Sequence, residues 1–177
     1  MARSSKLKKS SLILTLLLIG GVMLWQGLFM RNEVLRIDGK SIAVIDGDSF
    51  KSEDEEYRLQ GIDAPEFRQT CTSGEGSPWP CGRAARQQLK EILGRGVWSC
   101  TVQARDQFGR AIVTCRDREN RDLGSSLVQS GHAVSGGRFD ETTYGTEESE
   151  AKKARRGIWQ GPFQRPEVWR AENPRGS

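Results

Sequence analysis

The chain has 177 residues, with 27 lysines and arginines, 23 acidic residues, one histidine and a formal net charge of +4. That length suits a single domain. One histidine excludes any zinc site built on two or more histidines, and it limits a Ser-His-Asp triad to His132. A basic balance is typical of nucleic-acid-binding surfaces, so the position of the excess charge decides what it means.

The positive excess lies at the N terminus. Residues 1–10 hold four basic residues and no acidic one, so the rest of the chain is formally neutral. Residues 11–30 carry no charge, and a helix of about twenty residues spans the ~30 Å hydrocarbon core of a bilayer. This pattern predicts a basic cytoplasmic n-region followed by a transmembrane signal anchor. A cleaved signal peptide is the alternative, although Trp25–Met30 offers no small-x-small cleavage site.

The location of the domain follows from that interpretation. We expect a single-pass protein of the cell membrane, with its domain on the periplasmic or extracellular side. Cleavage would make it a secreted protein instead. The membrane is therefore one expected partner, through the N-terminal helix.

The four cysteines agree with export. None forms a C-x-x-C pair, so a zinc ribbon or a thioredoxin-like motif is not supported. Cys100 and Cys115 flank a segment that turns about Gln107 and Phe108, which places the two cysteines opposite each other across a hairpin, within disulfide range. Cys71 and Cys81 bracket a loop rich in Gly, Ser and Pro. Four reduced thiols are the alternative, but an oxidising compartment favours two disulfides.

The elements expected after residue 30 are mostly short. The predicted strands are Val34–Ile37, Ser41–Ile45, Ser49–Ser52, Glu56–Ile62, Trp98–Ala104 and Ala111–Cys115. The predicted helices are Cys81–Leu93, Leu123–Gln129 and Glu147–Arg156. We place the domain at residues 31–160, followed by a proline-containing tail at residues 161–177 that Phe163 and Trp169 could dock. Strands with short helices between them suggest a small OB-type β-barrel in an α+β setting.

Five charged residues are candidates for chemistry. Asp48 and Asp63 each end a strand-like run, and carboxylates at strand ends can converge on a hard cation such as Ca²⁺. Glu66 lies one turn beyond Asp63. Arg58 alternates with apolar neighbours, and Arg110 follows a hairpin turn where a guanidinium can reach a phosphate with two parallel bonds. Each residue alone is more often structural, so the combination carries the argument.

Several motifs extend this set across residues 40–160. They are VIDGDS, YRLQGIDAPE, DQFGRA, SSLVQSGHA and EAKKARRGIW, in that order. Through them the sequence resembles the staphylococcal nuclease (thermonuclease) family. The resemblance implies a five-stranded OB-fold β-barrel with about three helices. It also implies Ca²⁺-dependent hydrolysis of DNA and RNA phosphodiesters that leaves 3′-phosphate products.

The resemblance also implies roles for single residues. Asp48 and Asp63 would be calcium carboxylates, and Ala64, at a position where the family nuclease has Thr, would give a backbone carbonyl to the metal. Arg58 and Arg110 would hold the scissile phosphate and stabilise the charge that develops on it. The catalytic water would be activated or oriented by Glu66.

The sequence departs from the family where a pair of tyrosines would cover the nucleotide. Phe139 and Tyr144 are the candidates to stack on a base in their place. We expect a monomer that needs no small-molecule cofactor. The rival hypothesis is a non-catalytic OB-fold module that binds nucleic acid or protein. Loss of the charged set would be its signature, and the set is intact here.

Overall fold

The computed structural model describes residues 33–136 and 143–174. The predicted n-region at residues 1–10 and the predicted anchor at residues 11–30 lie outside the described residues. Within the described ranges, no helix combines the length and apolar character that a membrane crossing requires.

The described β-strands form one large sheet and two small ones. They are β1 (Val34–Asp38), β2 (Ala43–Val44), β3 (Ser49–Ser52), β4 (Glu55–Leu59), β5 (Ile62–Asp63), β6 (Cys71–Thr72), β7 (Pro78–Trp79), β8 (Val97–Arg105), β9 (Ala111–Arg116) and β10 (Val134–Ser135). The large sheet has the order β1-β8-β9-β4-β3-β2, and β5 pairs with β10 and β6 with β7. Neighbouring strands of the large sheet are antiparallel, except for β4 and β9, which are parallel.

Four α-helices and one 3₁₀ turn surround the strands in the described ranges. They are α1 (Cys81–Leu93), α2 (Leu123–Gln129), α3 (Gly145–Lys153), the 3₁₀ turn Gly157–Gln160 and α4 (Pro166–Glu172). The predictions for α1 and α2 are confirmed at both ends. The helix predicted to run to Arg156 ends three residues earlier, because Arg155 and Gly157 adopt left-handed φ values of 50° and 54°. α4 lies in the tail, where no helix was predicted, and Pro166 opens it, as suits a first helical turn.

The large sheet curls into a half-barrel, and no ladder joins β1 to β2 among the described residues. In place of the expected five-stranded OB-fold barrel, the structure has a curled six-stranded sheet, which is consistent with an OB fold. The single strand predicted at Glu56–Ile62 is wrong, because the chain turns at Gly61, which has a φ of +73°. That turn separates Asp63, at the end of β5, from Arg58 on β4 and lets their side chains meet.

The main core lies between the curled sheet and the first two helices. Phe50 stacks on Tyr57 with ring centroids 5.3 Å apart, and Leu89, Leu93 and Leu127 are completely buried. A second, smaller cluster surrounds Cys71 and Cys81, with the partly buried side chains of Trp79, Trp159 and Phe163 packed against it. Burial of these apolar side chains is the main favourable term in the stability of both clusters.

Both predicted disulfides are present. Cys100 pairs in register with Cys115 across the β8–β9 hairpin, and Cys71 joins Cys81. A bulge between Val102 and Ala104 shifts the register nearer the turn by one residue. The predicted pairing of Cys100 opposite Cys115 therefore holds, because both cysteines lie on the side of the bulge away from the turn.

Removing the hairpin disulfide should destabilise the domain measurably. In a Cys100→Ala/Cys115→Ala protein, the loss of a constraint across 15 residues is expected to lower the free energy of unfolding by about 3 kcal/mol. Urea unfolding followed by circular dichroism measures this change. Because its second disulfide remains, the double variant should still lose stability on reduction, whereas an unchanged urea midpoint in the oxidised variant would contradict the prediction.

His132 should make stability depend on pH. Burial lowers the pKa of its imidazole, and Nδ1 lies 3.0 Å from Oγ of Ser130. In the unfolded chain the histidine has a pKa of about 6.5 and binds the proton more readily. The contribution of neutral His132 to stability is therefore present above that pKa and is lost as the pH falls below it. A His132→Gln protein should therefore lose less stability than the wild type between pH 8 and pH 5. Urea midpoints at both pH values test this, and equal losses would refute it.

Candidate active site

Four carboxylates gather at one end of the half-barrel. This acidic corner consists of Asp46, Asp48, Asp63 and Glu66, and its three aspartates are 8%, 2% and 5% exposed, respectively. Gly47 lets the turn before β3 pack against α1, because a Cβ atom there would lie 2.7 Å from the Cβ of Ala85 on that helix and 2.6 Å from the Cβ of Ala64. The Asp-Gly-Asp segment is therefore fixed in position by close packing as well as by its own turn.

Asp48 is held on both of its carboxylate oxygens. Its Oδ1 accepts hydrogen bonds from Nη1 of Arg58 at 2.7 Å and from Oγ of Ser49 at 3.0 Å. Its Oδ2 accepts one from the backbone N–H of Ala64 at 2.9 Å. The structure thus brings Ala64 against Asp48 through its amide, and the role of the Ala64 carbonyl stays a prediction.

Arg58 joins two of the buried carboxylates. Its Nη1 bonds Asp48, and its Nη2 lies 3.0 Å from Oδ1 of Asp63. Its strand neighbours Tyr57 and Leu59 are both buried, so alternation along β4 turns Arg58 to the opposite face, as the sequence indicated. The negative charge of Asp48 is the main cause that raises the pKa of Arg58, so the guanidinium stays charged.

A second arginine, which the sequence did not single out, completes the cluster. Arg170, on α4, donates from Nη1 and Nη2 to the two oxygens of Asp63, each at 2.9 Å. Its Nη1 also lies 3.1 Å from Oε1 of Glu66. Nothing in the tail sequence distinguishes Arg170 from Arg165, since only a long-range contact gives it this position.

The acidic corner keeps an excess of negative charge. Four carboxylates face two guanidinium groups, and burial, followed by repulsion from Asp48, raises the pKa of Asp46 to about 7. Burial also raises the pKa of Asp63, with Arg170 and Arg58 opposing that shift. A carboxyl group with such a raised pKa indicates a site that would be stabilised by an added cation.

The oxygen donors of the acidic corner are of the kind that calcium prefers. However, within residues 33–136 and 143–174 no three acidic, histidine or cysteine side chains are arranged to hold a metal ion. Guanidinium groups bond oxygens of Asp48, Asp63 and Glu66 in this structure. The donor chemistry fits calcium, and a change of partners would be needed to bind it.

Arg110 lies apart from this cluster. Its Nε lies 2.8 Å from Oδ2 of Asp106, its Nη1 lies 3.5 Å from Oε1 of Glu56, and its guanidinium lies 5.7 Å from the ring centre of Phe108. Glu56 and Arg58 are two residues apart on β4, so they share one face of the sheet at a spacing of about 7 Å along the strand. Arg110 therefore contacts the face that carries Arg58. An open groove of about 530 Å³ is lined by Ser52, Glu53, Asp54, Glu55, Glu56, Tyr57, Phe108, Gly109 and Arg110.

The expectation that Tyr144 stacks on a base is wrong. Tyr144 is 7% exposed, and its hydroxyl donates to Oδ1 of Asp122 at 2.9 Å. Phe139 lies outside the described residues. Phe108, which is 73% exposed at the tip of the hairpin, is the aromatic side chain that the described site presents, and its place beside Arg110 in the DQFGRA motif was the signal for it.

The fold and site together are those of a half-barrel of the OB type that holds largely buried carboxylates and two arginines at one end. Residues 56–161 match the family model described as "Staphylococcal nuclease homologue". The chain belongs to this family, and its resemblance to the staphylococcal nucleases is confirmed.

Two curated proteins are similar to this chain. The succinoglycan biosynthesis protein ExoI of Rhizobium meliloti (strain 1021) is 31% identical over 118 residues, which are 66% of this chain and 62% of that protein. The probable endonuclease LCL3 of Eremothecium gossypii is 34% identical over 113 residues, which are 58% of this chain and 39% of that protein. The aligned region thus spans less than two thirds of either relative. The family and the second relative support a hydrolase of nuclease type.

Proposed function

We propose that this protein is a calcium-dependent phosphodiesterase that hydrolyses DNA and RNA. The observation that carries the proposal is the convergence of Asp48, Arg58, Asp63 and Glu66 within hydrogen-bonding distance of shared partners. A phosphodiester is anionic and gains charge in its transition state, so its hydrolysis needs cations near the phosphate and a positioned base or water. The acidic corner and its arginines supply residues of both kinds.

Each residue has a role in this proposal. Arg58 binds the scissile phosphate and stabilises the charge that develops on its oxygens, and Arg110 contributes a second guanidinium from the turn between β8 and β9. Glu66 orients or deprotonates the attacking water, and the 5′-oxygen leaves, so that the products carry a 3′-phosphate. Asp48, Asp63 and the Ala64 carbonyl would hold the calcium ion, which supplies Lewis-acid stabilisation of the phosphate when bound.

The proposal includes a location. The uncharged run at residues 11–30 behind a basic segment supports a membrane-anchored nuclease, with its domain on the periplasmic or extracellular side. Two disulfides in the described domain agree with an oxidising compartment. Secretion after cleavage is the alternative, and fractionation of cells with detection of the intact or shortened chain separates the two.

A labelled single-stranded oligonucleotide, DNA or RNA, tests the function directly. We expect cleavage with calcium, none with EGTA, and products whose 3′-phosphate groups are removed by a phosphatase. Equal cleavage in both buffers would contradict the calcium requirement. Binding of the oligonucleotide without cleavage, unchanged by calcium, would instead support a non-catalytic OB-fold module.

A further inference from the structure

The last described segment of the chain reaches the acidic corner from outside the family match. We call residues 161–174 the C-terminal arm; it follows the matched residues 56–161 and contains α4. Arg170 on α4 makes two parallel hydrogen bonds to Asp63 and one to Glu66. Such two-point contacts between a guanidinium and a carboxylate are among the stronger and more specific hydrogen bonds in proteins.

The C-terminal arm is held in place by contacts other than Arg170. The buried Gln69 donates from Nε2 to the backbone oxygen of Gln164 at 2.7 Å, while its own Oε1 accepts from the N–H of Glu66 at 3.1 Å. Phe163 packs edge-on against Trp159, with ring centroids 4.9 Å apart. Arg170 is thus delivered to the site by a docked segment.

The two arginines at the acidic corner differ in how readily they can leave it. The side chain of Arg58 is 20% exposed and bridges Asp48 and Asp63. The side chain of Arg170 is 36% exposed and contacts Asp63 and Glu66. Solvent and ions reach Arg170 more easily, and ion pairs open to solvent are weaker than enclosed ones.

We propose that Arg170 is an internal competitor of calcium, which occupies Asp63 and Glu66 until the metal ion displaces it. This inference rests on the proposed function, because it takes Asp63 as a calcium ligand. If Arg170 is in place in about nine of ten molecules, the apparent calcium affinity is lowered about tenfold.

Calcium titration of the full-length protein by calorimetry tests the competition. Arg170→Ala and Arg170→Gln should each lower the Kd for calcium about tenfold relative to the wild type. Arg165→Ala is the matched control, because Arg165 lies on the same arm and is paired with Glu167 of that arm, with 3.6 Å between Nε and Oε1. We expect the wild-type Kd for this control.

Oligonucleotide cleavage by the same preparations separates the two proposals. If the wild type binds calcium and cleaves, but both neutral variants keep its Kd or bind more weakly, the competition is overturned and the proposed function stands. If no protein binds calcium, both proposals fail. Should the neutral variants not fold, Arg170→Lys replaces them: it keeps the charge without the two-point geometry, so its Kd should still fall, and an unchanged Kd would overturn the competition.

Discussion

Replacing Arg58 with alanine should lower the turnover of phosphodiester cleavage about 10³-fold, the size of effect that follows from loss of a guanidinium at a transition-state phosphate. The reason is geometric as well as electrostatic. Arg58 bonds Asp48 and Asp63 on the sheet face that Arg110 also contacts, so its guanidinium already lies at the acidic corner before the substrate binds. Steady-state cleavage of a labelled oligonucleotide at saturating calcium gives the measurement.

Loss of Arg58 also leaves Asp48 without a charged partner, so part of the effect could come from altered folding. Arg58→Lys addresses this, because it retains a positive charge but not the two-point geometry, and it should still lose much of the activity while unfolding close to the wild-type urea midpoint. Arg121→Ala, which removes an exposed arginine paired with Asp117 and Glu119, is the matched control. Activity of Arg58→Ala within a few-fold of this control would exclude the role given to Arg58.

Replacing Glu66 with glutamine should lower turnover by about 10²- to 10⁴-fold, since a positioned acid or base contributes a factor of that order. The substitution preserves the shape of the side chain and removes its charge and basicity. Because chemistry is affected and substrate binding is not, we expect the effect in kcat, with KM little changed. Single-turnover cleavage at saturating enzyme isolates the chemical step.

The control for Glu66 is Glu91→Gln on α1, where the carboxylate accepts a hydrogen bond from Nε2 of Gln87 at the surface. It should leave cleavage unchanged. A Glu66→Gln protein with wild-type single-turnover rates would show that another group handles the water. Circular dichroism of the Glu66→Gln and Glu91→Gln proteins verifies that both are folded alike. The difference between their cleavage rates then reports the chemical step.

Local pattern was enough to predict the elements whose limits are set locally. The helix Cys81–Leu93 has its apolar residues at helical spacing and Gly94 at its end, and it forms at those bounds. The paired Cys100 and Cys115 follow from hairpin symmetry. The break at Gly61 was missed because a strand-like run of seven residues looks the same whether or not one glycine in it adopts a positive φ.

The residues of the candidate site also fall into those that local sequence reveals and one that it does not. Asp48, Arg58, Asp63 and Glu66 lie in short, recognisable motifs, and the structure brings them together. Arg170 comes from a segment more than a hundred residues from Asp63, and its docking depends on a buried amide and an aromatic pair that no local spacing reveals. Long-range partners of this kind are decided by packing, which sequence periodicity does not encode.

The buried amide of Gln69 ties residues beyond the family match to the domain. The match to the family model ends at residue 161, whereas the side chain of Gln69 donates to the carbonyl of Gln164, and Asp63 receives two of its hydrogen bonds from Arg170. A chain cut where the likeness ends would bury a donor without an acceptor, which is costly. The segment that matches the family model is therefore shorter than the segment that satisfies its own polar groups.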